Sequence, residues 1–215
     1  MLVEPPVKIA VRKRSVNDIV GIVRNTLVTD PKLRWNTFFS AIIGCSTLTM
    51  AWFAQPFFKQ VNLPLEGYGV LWAVLNLSVG LAALGAWRFE KKLGPARTVT
   101  IFTFVIISGF MLLALFPGMA ALLILVVFYL ARGIATPTLR SYINNITTSD
   151  VRATVLSVRN FVIGLTFAVL GPFFGYVTDV FGLSTALFVA SVSFGIPAFV
   201  SLYYFVKLRT YESDS

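Results

Sequence analysis

Histidine is absent from the 215 residues, and cysteine occurs once, at Cys45. The first absence excludes His-based zinc sites and Ser-His-Asp catalysis. The second excludes an intrachain disulfide framework or a multi-cysteine metal site. Acidic residues number nine, and all of them fall in stretches that read as tails, loops or helix ends: Glu4, Asp18, Asp30, Glu66, Glu90, Asp150, Asp179, Glu212 and Asp214. No carboxylate is expected at membrane depth for acid-base chemistry or a buried proton relay. The chain is therefore read as no enzyme, with no metal and no organic cofactor.

Apolar residues, by contrast, make up 57% of the chain, and mean hydropathy is +0.81. A bilayer span needs about 20 predominantly apolar residues. Six stretches meet that length: 36–58, 68–88, 98–116, 119–141, 153–178 and 183–206. More than thirty largely polar and basic residues precede the first, which is unlike a cleavable signal peptide. The fold class is all-α, an integral membrane six-helix bundle in contact with the lipid bilayer.

Threading the six spans puts the N-terminus, the 88–97 and 140–152 loops and the C-terminus on one side. That side takes all but two, Lys59 and Arg132, of the 18 Lys and Arg residues. By the positive-inside rule it is cytoplasmic, so both termini face the cytoplasm in a multi-pass cell (inner) membrane protein. The net charge of +9 is then a topology signal, and no nucleic-acid partner is expected.

Residues 1–33 form a cytoplasmic basic linker. Ser15-Val16-Asn17-Asp18 resembles a helix start, and Val16, Ile19, Val20, Val23 and Leu27 share one face of a helix that Pro31 stops. This predicts a short amphipathic helix on the membrane surface, the alternative being a disordered basic tail. Residues 34–210 carry the bundle, and 211–215 are a cytoplasmic tail. Loops are too short to hold a soluble domain.

Polarity divides the spans. Span 1 places Ser40, Thr47 and Gln55 at helical spacing, and span 4 does so with Tyr129, Arg132 and Thr136. These two are expected to line a cavity or partner surface, and the uniformly apolar spans 3 and 6 to face lipid. Spans 2 and 5 carry small-residue stripes, Asn76-Gly80-Gly85 and Gly164-Ala168-Gly171-Gly175, of the kind that allows close helix approach. VLWAVLNLSVGL (70–81) also aligns with VLSVRNFVIGL (155–165) after one gap, in helices of opposite direction. That suggests a three-plus-three inverted repeat.

Arg132 is the residue that most needs a reason, because a mid-bilayer charge costs about 2.5–3.5 kcal/mol on insertion scales. Either it faces a cavity, to hold an anionic group or a carboxylate, or it snorkels toward Arg140 and the cytoplasm. Asn76 and Gln55 are further candidates for contact with a polar small-molecule substrate. Arg159 and Asn160, early in span 5, read as a cytoplasmic gate or an interface anchor.

The run PTLRSYINNITTSDVRATVLSVRNFVIGLTFAVLGPFFGYVTDVFG (137–182), with Arg152-Ala153-Thr154, resembles the tenth-to-eleventh helix region of major facilitator superfamily transporters. GAWRFEKKLGPAR (85–97) is similar to a degenerate copy of that family's Gly-x3-Asp-Arg-x-Gly-Arg-Arg loop, with Gly85, Glu90, Lys91, Gly94 and Arg97 in comparable places. The resemblance implies half of a major-facilitator fold, helices seven to twelve, whose first and fourth helices line a solute path. It implies transport of a small organic solute together with a second six-helix half, whether another chain or a homodimer copy. It also implies gating roles for the 85–97 loop, Arg152 and Arg159, including a Glu90–Arg152 ion pair. The departure is large: family members have twelve helices, and these spans number six. A non-transporting membrane module or truncated fragment, inactive without a second unit, is the alternative.

Overall fold

The computed structural model describes residues 16–212, and the predicted helix start at Ser15 lies outside them. Among the described residues every regular element is helical. A short helix, α1 (Val16–Arg24), and a wide turn precede six long ones: α2 (Pro31–Gln60), α3 (Leu65–Leu93), α4 (Pro95–Leu115), α5 (Leu122–Ile146), α6 (Arg152–Phe181) and α7 (Leu183–Lys207). All six are long and apolar enough to cross a membrane. They match the six predicted spans and mostly overrun them, because a helix continues past the hydrocarbon where only its outer turns turn polar.

Pro31 opens α2 rather than merely closing what precedes it. Proline suits the first helical position, where its missing N–H would be unpaired in any case. Asp30 caps that turn, its Oδ1 accepting from the backbone N–H groups of Lys32 (2.8 Å) and Leu33 (3.1 Å). Asp30→Ala is expected to cost about 1 kcal/mol, measured as a lower unfolding midpoint in detergent.

α1 does not dock by its predicted apolar face. Val16, Ile19 and Val20 point outward, and Ile22, from another face, packs against Leu33, Ile143 and Val155. The outward stripe is what a helix lying on a bilayer would present to it.

The long helices stand in two layers. Their contacts run α3–α5–α2–α6 in one row, with α4 and α7 packed behind. The core is rich in aromatics: Phe110 meets Phe128 edge-on at 5.4 Å and Phe194 at 6.0 Å, and Phe174 joins Phe194 to Phe53. Ser191 Oγ donates to the Ile107 carbonyl (3.1 Å), tying α7 to α4. Trp35 stacks on Tyr204 at 4.2 Å, and Asn36 Nδ2 donates to the Thr210 carbonyl, which ties α2 to the end of the chain.

The expected roles of the uniformly apolar spans are reversed in degree. α4 and α7 are well packed, whereas α3 and α6 are the least buried, with 17% and 11% of their apolar windows inside against 67% for α2. A helix that is apolar all round suits burial on several sides. The small-residue stripes are likewise not used as predicted. Gly80, Gly85, Gly164 and Gly175 have open space where a side chain would go. Close approach occurs elsewhere, at Gly133: a Cβ there would stand 2.5 Å from the Val79 carbonyl oxygen and 2.8 Å from the Ala82 methyl. That contact seats α5 on α3.

Gly94 and Gly182 join α3 to α4 and α6 to α7 as single residues with φ of 82° and 85°. Only glycine adopts that backbone without strain.

Candidate functional site

Arg132 stands near the middle of α5, half-buried, and its guanidinium carbon lies 5.5 Å over the Tyr129 ring. Side chains on a helix lean toward its N-terminus, and Tyr129 is one turn in that direction. The charge is thus directed away from the Arg140 end, the opposite of snorkelling toward it. Among the described residues no carboxylate pairs with it. Tyr129 is fully buried, edge-on to Trp72 of α3 at 6.3 Å, and its hydroxyl has no hydrogen-bond partner among the described residues. Thr136 Oγ1 donates back to the Arg132 carbonyl (3.0 Å). Arg132 and Tyr129 are therefore brought together, while Thr136 spends its hydroxyl on its own helix.

The remaining cavity candidates separate. Thr47 Oγ1 donates to the Gly44 carbonyl (3.0 Å), and Asn76 Nδ2 to the Trp72 carbonyl (2.9 Å), both within their own helices. Gln55 is exposed. Ser40 is fully buried and faces a partner that sequence reasoning put at the membrane edge: its Oγ accepts from Arg159 Nε.

Arg159 is only 4% exposed, seven residues into α6, so a plain interface anchor does not describe it. Nη1 donates to Asn160 Oδ1 (3.0 Å), and Nη2 would be 3.7 Å from a Cβ at Gly44. The signal in the sequence is an arginine two turns into an apolar helix; its partner on α2 leaves no trace there.

At the loops, Arg152 does not pair with Glu90. Its Nη2 donates to the Asn144 (2.9 Å) and Thr147 (3.3 Å) carbonyls at the end of α5, where helix carbonyls lack partners. Glu90 sits beside the buried Tyr142 hydroxyl. Gly94 donates its N–H to the Glu90 carbonyl (2.7 Å) at the α3–α4 turn, and Lys91 and Arg97 are exposed around it. Gly85 lies two turns back on α3.

A further feature escaped the sequence. An apolar groove of about 560 Å³ runs between α2 and α6, lined by Trp52, Phe53, Pro56, Phe167 and Pro172, with Asp179 at its rim. Its sequence trace is a proline inside each of the two helices.

No family model, curated protein or solved structure matches this chain. The functional reading therefore rests on the helices and these side chains.

Proposed function

We propose that the chain is half of a secondary active transporter of the major-facilitator type, moving a small organic solute across the cell membrane by alternating access. The observation that carries this is a half-buried, carboxylate-free arginine at mid-helix in a bundle whose flanking helices, α3 and α6, are left largely uncovered. A second six-helix unit would cover them. The basic end of the bundle, with both termini, would then be cytoplasmic.

The packing supports an inverted three-plus-three repeat. Exchanging α2 with α5, α3 with α6 and α4 with α7 turns the α3–α5 contact into α6–α2, α2–α7 into α5–α4, and α6–α7 into α3–α4. Gly94 and Gly182, the one-residue turns, occupy equivalent places.

Native mass spectrometry of the nanodisc-embedded protein tests this reading. Two 23.7 kDa copies, reduced toward one by Arg132→Ala, are the expected result. A single copy unaffected by Arg132→Ala and inert in proteoliposome solute uptake would overturn it in favour of a non-transporting module.

A further inference from the structure

Around Arg159 the hydrogen-bonding capacity left over is mostly that of donors. A guanidinium carries five N–H groups and no acceptor. Nε uses one on Ser40 Oγ and Nη1 uses one on Asn160 Oδ1, so three have no partner among the described residues. Because Ser40 accepts from Arg159, its own O–H is free to donate, and no acceptor takes it. Asn160, having given its carbonyl oxygen to Arg159, presents an exposed amide N–H pair. Thr37, three residues before Ser40 on α2, is a further buried hydroxyl without a partner.

The charge is as one-sided as the hydrogen bonding. No carboxylate pairs with Arg159 among the described residues, and the nearby charge that acts on it is another cation, Arg140 at the basic end of α5. A buried charge is stable only when paired and hydrogen-bonded. Gly44 stands opposite: a Cβ there would clash with the Ile163 side chain at 2.5 Å and reach Nη2 of Arg159 only at a contact distance of 3.7 Å.

We propose that Arg159, Ser40 and Asn160 form an oxyanion-binding site between α2 and α6, taking a carboxylate or phosphate group, with Arg140 drawing the anion toward it. Arg159 lies about 10 Å along α6 at 1.5 Å per residue. α6 overruns a hydrocarbon core of about 30 Å, which sets the guanidinium near the headgroup boundary. The same oxyanion chemistry is thus available from a phospholipid headgroup or from a free anion. This site is distinct from Arg132, which lies on α5.

The test is thermal unfolding of the full chain, purified and delipidated in detergent, titrated with inorganic phosphate against chloride at constant ionic strength. Retained phospholipid is measured in parallel by native mass spectrometry. A free-anion site predicts that phosphate raises the wild-type midpoint by several degrees, that Arg159→Gln abolishes the rise and that Arg159→Lys keeps part of it. A headgroup site predicts no response to phosphate, but phospholipid retained by wild type and lost by Arg159→Gln. If Arg159→Gln does not fold, Asn160→Ala, at an exposed position, is expected to weaken whichever response wild type shows. A phosphate rise of equal size in wild type and Arg159→Gln, or neither phosphate response nor phospholipid retention in wild type, would overturn the site. Particle mass and solute uptake report on transport separately, so failure of either reading leaves the other to its own measurement.

Discussion

Gly133→Val unseats α5 from α3. The first carbon added at Gly133 already meets a backbone carbonyl oxygen at 2.5 Å, and a carbonyl in a helix cannot rotate away as a side-chain tip can. The helices must separate, and the Trp72–Tyr129 contact between the same two helices opens with them. Overpacking typically costs 1–3 kcal/mol, and the upper part of that range is expected where the obstruction is main chain. Unfolding midpoints of the detergent-purified variant measure the loss. Gly80→Ala and Gly164→Ala, whose added methyls meet open space in helix interiors, should hold or raise the midpoint. A Gly133→Val variant as stable as those two would show that α3 and α5 do not pack at this point.

Arg132→Met is expected to do the reverse to stability while removing function. A central arginine costs about 2.5–3.5 kcal/mol on insertion scales, and with no carboxylate partner the chief return is its position over the Tyr129 ring. Cation–π contacts give back about 0.5–2 kcal/mol. The difference predicts a gain of about 0.5–3 kcal/mol for methionine, which carries no charge. The same variant should form no two-copy particle and carry no solute. Equal or lower stability would mean that Arg132 is compensated within the bundle and is a structural residue.

The spans were legible because length and apolarity are what a bilayer demands of a helix, and the chain supplies both six times. Their burial was not legible. Lipid tails are as apolar as leucine, so the uniform Ile, Phe and Leu of α4 and α7 read equally well as lipid-facing or protein-facing. Glycine stripes on α3 and α6 were ambiguous for a related reason: spacing says that one face of a helix is smooth, not that anything lies against it. The Tyr129–Arg132 pair was readable from its spacing of three, which stacks side chains on one helix face. The Arg159–Ser40 contact joins residues 119 apart in sequence, and no local pattern announces a partner so distant. Arg152 shows how the loop reading failed. Its charge suggested an acidic partner, but the nearest need was the unpaired carbonyls ending its neighbour helix.

Gly94 and Gly182 also set what in this bundle can move against what. A single residue between two helices has two rotatable bonds and no slack, so α3 with α4, and α6 with α7, are hairpins that translate as units. Longer connections join α2 to α3 through 61–64 and α5 to α6 through 147–151. Rocking within the bundle would therefore carry each hairpin as a pair about the central helices α2 and α5, with any bending inside a hairpin confined to its one glycine.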